Sequence, residues 1–394
     1  MTVNPFTPGF GTSPLVLAGR DQILNEVELA FEFPGREAQV TLLLGPRGAG
    51  KTVLLNAIQD QAGERGWLWV QEDASRGLPS RLARQLQRLR QQLTPPPRWK
   101  LRRVEVAAVG GVEWDNTSPP TATDLRDALG ALLDTLETLR TRATGTDRSA
   151  GVLITIDEIH TVDPDELRQI GLAAQYHRRQ DQPVVIAMAG LPTEDMLGLL
   201  ADPTIASFLQ RCFRPSVAEI AQLPDDDVRQ GLADTAALGL RTYAPDALDA
   251  AVDVIDGYPY LLQLVGYESF RRSGDEPTID RAHVEQALPA ALTKYGRNVT
   301  ELTATRLSPV DRRFLAAMAL DPPGAGSSIA DLASRLGVDS NYVARYRNRL
   351  IGTGVIRPAG RGRLEFAVPG LHHYVTHAWP LEPPDDKGQL PPAP

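Results

Sequence analysis

The sequence predicts an α/β chain in which a parallel sheet flanked by helices occupies the amino-terminal half and helices dominate the rest. Short apolar runs alternate with helical patterns as far as Pro215, and this alternation is typical of a parallel sheet. Beyond Pro215 the patterns are helical until two short β-rich runs, Val355–Arg357 and Arg363–Val368. We therefore expect a sheet-bearing core, a helical domain and a small mixed module, in that order.

Four apolar runs are predicted to form the strands of the sheet. They are QVTLLL at Gln39–Leu44, WLWVQ at Trp67–Gln71, GVLITI at Gly151–Ile156 and PVVIAMA at Pro183–Ala189. Strands covered on both faces read as continuous apolar runs, whereas strands with one solvent face alternate between apolar and polar residues. The sheet is therefore expected to be parallel and buried between helices.

Helices are predicted between and after the strands. Those between the strands are 21–32, 52–61, 80–93, 125–139 and 166–177, and those that follow are 225–238, 245–255, 259–272, 279–292, 308–319, 329–336 and 340–352. In the segment 80–93 leucines recur at helical spacing, with Ser80 placed to cap the first turn and Thr94–Pro97 to end the helix. The stretch Arg102–Trp114 is compatible with a strand or a hairpin.

We divide the chain into five parts. They are an extended arm (1–20), an α/β core (21–215) with an insertion at about 74–120, a helical domain (216–307), a module of three helices and two strands (308–378), and a Pro-rich tail expected to be disordered (379–394). The length of 394 residues agrees with two to three folded domains.

The composition excludes several classes of protein. Apolar residues make up 42% and charged residues 23%, as in globular proteins with a buried core. The single cysteine, Cys212, excludes a disulfide framework and a cysteine-based zinc site, and six scattered histidines argue against a metal cage. No run of eighteen apolar residues is present and the first residues lack a secretory pattern, so we expect a cytoplasmic protein without membrane contact.

The net charge of −8 hides an uneven distribution of charged side chains. An acidic chain is unlike the proteins that coat nucleic acid with positive charge. Residues 74–104, however, contain nine basic and no acidic side chains, and residues 308–374 contain nine arginines against five acids. Two basic segments in an acidic body are a better guide to partners than the total charge.

The segment 45–52 fits the pattern G-x-x-x-x-G-K-[ST] of a phosphate-binding loop, or P-loop. It follows an apolar strand and opens a helix, as the motif requires. Backbone N–H groups of the glycine-rich turn converge on phosphate oxygens, and the helix start adds a positive dipole end. The predicted cofactors are ATP and Mg²⁺, and the predicted contacts are Gly45, Pro46, Arg47, Gly48, Ala49, Gly50, Lys51 and Thr52. Lys51 would reach the β- and γ-phosphates, and the Thr52 hydroxyl would face the metal.

Two acids at the end of the strand GVLITI complete the predicted site. Asp157 would hold Mg²⁺ together with Thr52, and Glu158 would act as the general base on the attacking water. A solvated loop pair is the alternative, but the strand context and the P-loop favour the catalytic interpretation. The 106 residues from Lys51 to Asp157 are long for a P-loop unit and imply an insertion, within which the basic segment 74–104 lies.

With these motifs the chain resembles the AAA+ ATPases, and within them the origin-recognition and replication-initiator branch, with its archaeal-type ATPases and bacterial relatives. Further segments match in order: LAGRD at 17–21, PVVIAMAGL at 183–191 as the sensor-1 strand, and SFLQR at 207–211 as the stretch that carries an arginine finger. The resemblance covers nearly the whole chain. It implies a P-loop NTPase core with a parallel sheet, a helical lid domain and a carboxy-terminal winged helix-turn-helix.

The chain departs from this pattern at two positions. The sensor-1 strand ends in AMAG without a polar side chain, and the lid reads GYPY at 257–260, where an arginine often senses the γ-phosphate. Slow hydrolysis or a nucleotide-held switch is therefore expected. Arg211, with Arg214 as second choice, is the predicted arginine finger and would act across the boundary of a homo-oligomer. An ordinary surface arginine is the equal alternative.

The carboxy-terminal module carries the predicted contact with double-stranded DNA. Asp339 can cap the helix 340–352. With 100° between successive residues, one side of this helix is predicted to face the module core, and it carries Val343, Tyr346, Arg347 and Leu350. The predicted DNA-binding residues, on the opposite face and on the loop of the wing, are Asn341, Arg345, Asn348, Arg349, Arg361 and Arg363. In the segment 74–104, Arg81, Arg84 and Arg88 give a second possible phosphate contact, with a solvated face or an acidic partner as equal alternatives.

The sequence predicts an ATP-binding, ATP-hydrolysing protein that binds duplex DNA under nucleotide control, as initiators and loaders do. Two alternatives stay open: a regulatory or signalling ATPase whose winged helix binds a protein effector, and an ATPase helper in transposition. They share the nucleotide chemistry and differ in the partner.

Overall fold

The computed structural model describes residues 3–9, 11–32, 37–93, 124–142, 151–202, 209, 211–296, 307–322, 325–352, 355–360, 362–367 and 371–379. Four of the predicted features lie outside these residues: the strand or hairpin at 102–114, the distal part of the basic segment, Arg361, and the Pro-rich tail from Leu381 onward.

A parallel sheet forms the amino-terminal half. Its strands are β1 (Val40–Leu44), β2 (Leu68–Asp73), β3 (Val152–Asp157) and β4 (Val184–Gly190), in the order β1-β4-β3-β2. Every residue of β1, β3 and β4 is buried, in agreement with the prediction from their continuous apolar runs. Phe213 extends the sheet beyond β1, because its backbone N–H donates to Val40 O at 2.8 Å and its carbonyl accepts from Leu42 N at 2.9 Å.

Helices cover both faces of this sheet. They are α1 (Asp21–Glu32), α2 (Lys51–Glu64), α3 (Leu78–Leu93), α4 (Leu125–Arg142), α5 (Pro164–Arg178) and α6 (Glu194–Ala201). On one face α1 and α2 bury apolar side chains such as Val27, Leu54 and Ile58 against the sheet. On the other face α3, α4 and α5 form a second core around Leu82 and Leu129.

The start of α3 differs from the prediction that Ser80 caps it. The helix begins at Leu78, which places Ser80 inside its first turn. The carboxylate of Glu166, in the first turn of α5, accepts from the backbone N–H of Gly77 at 2.6 Å and of Leu78 at 3.4 Å. The cap therefore comes from another helix, and a rule based on neighbouring residues could not find it.

Helices dominate after Pro215, as predicted. They are α7 (Val217–Ala221), α8 (Asp225–Leu238), α9 (Pro245–Ile255), α10 (Pro259–Arg272) and α11 (Arg281–Tyr295). The expectation that strands stop here was wrong in one detail, since β5 (Thr242–Tyr243) and β6 (Thr278–Ile279) form a parallel pair. This pair ties the loop before α9 to the loop before α11.

The amino-terminal arm is extended but docked on the helical part. The ring of Phe6 is buried and meets Phe270 edge-to-face, with ring centroids 6.4 Å apart. Asn4 Nδ2 donates to Tyr267 O at 3.0 Å, and the backbone N–H of Thr7 donates to Gln263 Oε1 at 3.0 Å. The arm is thus part of the packing of α10.

The carboxy-terminal part contains α12 (Pro309–Met318), α13 (Ile329–Leu336), α14 (Ser340–Gly352) and α15 (Leu371–Ala378), of which α15 was not predicted. Three short strands, β7 (Ser327–Ser328), β8 (Ile356–Pro358) and β9 (Arg363–Phe366), form an antiparallel sheet in the order β7-β9-β8. Asp339 caps α14 as predicted, accepting from Tyr342 N at 2.7 Å. Among all helices described, none combines the length and apolar character needed to cross a membrane.

The docked arm yields a stability prediction. Phe6→Ala removes a fully buried ring from the core around α10, so we expect the free energy of unfolding to fall by about 3 kcal/mol. Val3→Ala is the matched control because Val3 is 84% exposed, and it should have no measurable effect. Urea denaturation followed by circular dichroism measures both. Equal stability of the two variants would contradict the docking of the arm.

Candidate functional site

The glycine-rich loop between β1 and α2 has the backbone shape that a phosphate-binding loop requires. Gly48 and Gly50 have φ angles of 77° and 81°, in the left-handed region that favours glycine. Gly50 is the N-cap residue of α2, so the helix start points into the loop. The loop is also anchored to the neighbouring strand, because Gly45 N donates to Gly190 O at 3.2 Å.

Lys51 lies in this loop as a buried ammonium group. Its Nζ donates to the carbonyl of Gly45 at 3.0 Å and to that of Pro46 at 2.9 Å. Burial lowers the pKa of Lys51 to about 8, and the nearby carboxylates of Glu158 and Asp157 only partly oppose this effect. Its hydrogen-bond partners are neutral carbonyls, so an anionic phosphate would bind the same ammonium more strongly.

Thr52 and Asp157 are in direct contact, although 105 residues separate them. Thr52 Oγ1 donates to Asp157 Oδ2 at 2.6 Å, and the backbone N–H of Glu158 donates to Asp157 Oδ1 at 2.7 Å. Asp157 is the last residue of β3 and is buried. A hydroxyl and a carboxylate are the oxygen ligands that Mg²⁺ prefers, so the pair fits the predicted metal site.

Glu158 follows directly and has an unusual backbone conformation. Its φ of 53° lies in the left-handed region, which costs free energy for a residue with a side chain. This turn directs the chain away from the strand and leaves the side chain 52% exposed. The structure therefore places a solvent-accessible carboxylate beside the buried Asp157.

His160 is a residue of this site that the sequence reasoning missed. Its Nδ1 lies 3.2 Å from Glu158 Oε2 and also accepts from Leu191 N, just after β4, at 3.3 Å. Burial lowers the pKa of His160, so the ring is neutral near pH 7, and Nδ1 is then an acceptor for Leu191. When protonated, the same atom would donate to Glu158. The signal in the sequence was a histidine three residues after Asp157.

His160 also lies near the end of β4, where the family pattern would place the polar sensor-1 side chain that this chain lacks. The predicted sensor-1 strand ends in buried apolar residues and Gly190, so β4 presents no polar side chain at its end. The imidazole of His160 occupies the space beside that end through its contact with Leu191. A polar group is thus present at this edge of the sheet, but it comes from the turn after β3.

Arg20 connects the P-loop to the start of the helical part through hydrogen bonds. Its guanidinium is buried and donates to the carbonyl of Ala49 at 3.3 Å, to that of Ile220 at 2.8 Å, and to that of Glu219. Burial lowers its pKa to about 10, which still leaves it charged, and Asp227 opposes the shift. Arg20 lies in the LAGRD segment, and it joins the end of the arm, the P-loop and the start of the helical part.

The arginine-finger candidates lie at the far side of β1. Arg211 and Arg214 are both exposed and flank Phe213, whose backbone pairs with β1. Most of the preceding segment, including Ser207, Phe208 and Gln210, lies outside the described residues. The structure thus leaves Arg211 accessible to a neighbouring molecule.

The predicted DNA-binding residues differ in how much of each side chain is available. Asn341, Arg345 and Asn348 are exposed on α14, and Val343 and Leu350 on its other side are fully buried. This division agrees with the face predicted from helical spacing.

Two of the arginines predicted to bind DNA also make internal contacts. Arg349 forms an ion pair with the buried carboxylate of Asp311 and donates to Ser308 Oγ at 2.9 Å. Arg363 donates to the carbonyls of Ala325 and Gly326 at 2.8 and 3.0 Å. Both guanidiniums therefore hold the module together, which the helical-spacing argument did not reveal.

In the basic segment 74–104, Arg81 also makes internal contacts. Arg81 Nε pairs with Glu72 at 2.8 Å, and its other nitrogens donate to the carbonyls of Asp73 and Arg76 at 2.8 and 2.7 Å. Arg81 thus connects α3 to β2, whereas Arg84 is exposed.

Two family models match parts of the chain. Residues 16–187 match the family model of the AAA ATPase domain. Residues 297–375 match a family described as a domain of unknown function (DUF8462). A search of curated proteins found no match. The AAA+ resemblance is confirmed at this level, and the initiator branch and the winged helix stay predictions.

Three solved structures are similar to this chain. The Walker-type ATPase paby2304 of Pyrococcus abyssi is 18% identical, with a TM-score of 0.60 over 91% of this chain and 96% of that chain. Cdc6p from Pyrobaculum aerophilum is 17% identical, with a TM-score of 0.45 and coverages of 94% and 96%. The Orc1 protein of Aeropyrum pernix, solved in complex with DNA, is 18% identical, with a TM-score of 0.40 and coverages of 94% and 95%. The first of these establishes a shared fold.

The position of Arg20 yields a prediction for the P-loop. Arg20→Ala leaves three carbonyls, one of them in the P-loop, without their donor, so we expect a loss of about 3 kcal/mol in stability and weaker nucleotide binding. Arg168→Ala is the control, since that half-exposed arginine only pairs with Asp165 on the surface. Thermal denaturation and nucleotide titration measure the two effects. An Arg20→Ala protein as stable as the control would exclude the bracing role.

Proposed function

We propose that the chain binds ATP with Mg²⁺ and hydrolyses it slowly, as a nucleotide-controlled switch. The observation that carries this proposal is the meeting of Lys51, Thr52, Asp157 and Glu158 at one edge of the sheet, within an AAA ATPase domain. Two motifs that are far apart in the sequence thus supply a phosphate-binding ammonium, a pair of oxygen ligands and a carboxylate.

Each of these residues has a distinct role in the proposed reaction. The backbone N–H groups of the P-loop and the Lys51 ammonium bind the β- and γ-phosphates. Thr52 and Asp157 would hold Mg²⁺, which when bound neutralises charge on the phosphate oxygens. Glu158 accepts a proton from the attacking water, and Nδ1 of His160 lies 3.2 Å from the Glu158 carboxylate.

Slow hydrolysis follows from the surroundings of Glu158. Its side chain is half exposed, so its orientation is only partly fixed within one subunit. Exposed Arg211 would complete the site of a neighbouring copy by stabilising charge in the transition state. Hydrolysis per subunit should then increase with protein concentration, and a constant rate per subunit would argue against this role of Arg211.

Two substitutions test the nucleotide site. Lys51→Ala removes the phosphate-binding ammonium and should abolish ATP binding, because a neutral methyl group cannot replace a charge-assisted hydrogen bond. Glu158→Gln keeps the shape of the side chain but cannot accept the proton, so it should bind ATP with unchanged affinity and lose at least about 100-fold in hydrolysis. Isothermal titration and a phosphate-release assay measure the two properties. If Glu158→Gln hydrolysed ATP at the wild-type rate, its role as general base would be excluded.

We infer further that the carboxy-terminal module is a winged helix-turn-helix that binds duplex DNA, with α14 as the helix that enters the major groove. Support comes from three helices with a three-stranded antiparallel sheet, and from the exposed face of α14 with Asn341, Arg345 and Asn348. Arginine reads guanine and asparagine reads adenine in the major groove. Arg363, near β7, would at most approach a phosphate.

One observation favours the second candidate, a protein effector bound by the same face. Arg349 and Arg363 are engaged in internal contacts, so fewer of their N–H donors are available to a partner than the sequence indicates. Fewer available donors mean fewer contacts with phosphate oxygens, which dominate DNA binding. A helper role in transposition would use the same DNA contacts and differs only in the further partner.

Substitutions at two arginines of α14 test its outward face and its internal contact. The variant of Arg345 distinguishes DNA from a protein effector. Arg345→Glu reverses an exposed charge and should weaken DNA binding at least about tenfold without changing stability. Arg349→Ala removes the ion-pair partner of Asp311, whose other oxygen still accepts from Ser308, so it should destabilise the module by about 1 to 2 kcal/mol. Fluorescence anisotropy with a labelled duplex at several salt concentrations, with thermal denaturation alongside, measures both. Undiminished DNA affinity of Arg345→Glu would favour the protein effector.

A further inference from the structure

We propose that Tyr258 is a nucleotide-binding residue of the helical part: its hydroxyl donates to a phosphate oxygen of the bound nucleotide and accepts from the hydroxyl of Tyr295. This inference rests on the proposed binding of ATP and adds a second element to that site. No motif pointed to it, because Tyr258 belongs to the GYPY segment, where the resemblance led us to look for an arginine.

The backbone conformation of Gly257 positions Tyr258 next to the P-loop. Gly257 has a φ of 70°, and its carbonyl accepts from Leu223 N at 2.7 Å. A side chain at Gly257 would lie only 2.4 Å from Leu223 O, so this turn has no space for another residue type. Tyr258 follows as the N-cap residue of α10 and is completely buried.

The hydroxyl of Tyr258 lies against Gly48 of the P-loop. A Cβ atom built on Gly48 would be 2.5 Å from Tyr258 Oη, which is closer than Cβ atoms come to other heavy atoms in proteins. Glycine is therefore required at position 48 for two reasons: its φ is positive, and a side chain would collide with the Tyr258 hydroxyl. The polar end of Tyr258 thus reaches the turn that would surround the phosphates.

The buried hydroxyls of Tyr258 and Tyr295 lie close to each other, and neither has a hydrogen-bond partner outside this pair among the residues that the structure describes. Their rings pack edge-to-face with centroids 5.4 Å apart, and the hydroxyls are close enough to influence each other. Burial raises the pKa of both groups, so both hydroxyls keep their protons. When one hydroxyl donates to the other, one buried proton still lacks an acceptor, which costs free energy that phenylalanine would not incur.

A phosphate oxygen at the P-loop would satisfy both groups at once. The Tyr295 hydroxyl would donate to Tyr258 Oη, and the Tyr258 hydroxyl would donate to the phosphate. Each proton then has one acceptor, and the outermost acceptor is an anion, which strengthens both hydrogen bonds. The cost of the proton that lacks an acceptor in the free protein is offset when nucleotide binds.

The test compares Tyr258→Phe and Tyr295→Phe with a matched control, Tyr243→Phe. Tyr243 is also buried in the helical part, but its hydroxyl is paired with Ser269 Oγ at 2.7 Å. Binding of the non-hydrolysable analogue AMP-PNP with Mg²⁺ is measured by titration, and the melting temperature is measured without nucleotide. We expect Tyr258→Phe to weaken binding at least fivefold while its melting temperature stays equal or rises. Tyr295→Phe should weaken binding by a smaller factor, and Tyr243→Phe should melt earlier and bind normally.

The controls separate this inference from the proposed function. If wild type and Lys51→Ala both fail to bind AMP-PNP, the proposed ATP binding is wrong. If wild type binds, Lys51→Ala does not, and Tyr258→Phe binds within twofold of wild type, only the role of Tyr258 is overturned.

Discussion

The contact between Thr52 and Asp157 depends on a constraint of the sheet: β1 and β3 must end at the same edge, and β4 must lie between them without blocking the approach. The parallel pairing satisfies the first condition, since Leu44 is level with Gly190 and Ile156 with Met188. Gly190 satisfies the second. A Cβ atom there would lie 2.8 Å from the side chain of Ile159 and 3.1 Å from the backbone of His160. The small residue at the end of β4 therefore leaves room for the turn that directly follows Asp157 and Glu158.

Much of the fold could be predicted because it depends on local patterns. Helices such as Asp21–Glu32, Pro259–Arg272 and Ser340–Gly352 have the predicted boundaries, since apolar spacing, prolines and caps lie within or next to them. The two nucleotide motifs were found for the same reason. The roles of Glu166, Arg20 and His160 could not be predicted, because each depends on a partner brought close only by the tertiary fold.

The arginines show how far a count of charges can be trusted. The excess of positive charge in 74–104 and in 308–374 was a sound reason to look for phosphate contacts. Arg81, Arg349 and Arg363 nevertheless donate to carboxylates and carbonyls of their own surroundings. A long side chain with five donors satisfies buried acceptors well, and this structural use is invisible in a sequence. Exposure and internal hydrogen bonds must therefore be considered together when an arginine such as Arg345 is proposed to bind a partner.

The docked arm has a mechanical consequence. The helical part is joined to the sheet by the chain around Gln222 and, independently, by the arm that runs from Phe6 to Arg20. Two connections constrain a displacement more than one does, because both must yield for the parts to separate. As long as Phe6 stays docked, any movement of the helical part away from the sheet must therefore also pull on the arm and on Arg20 at its end.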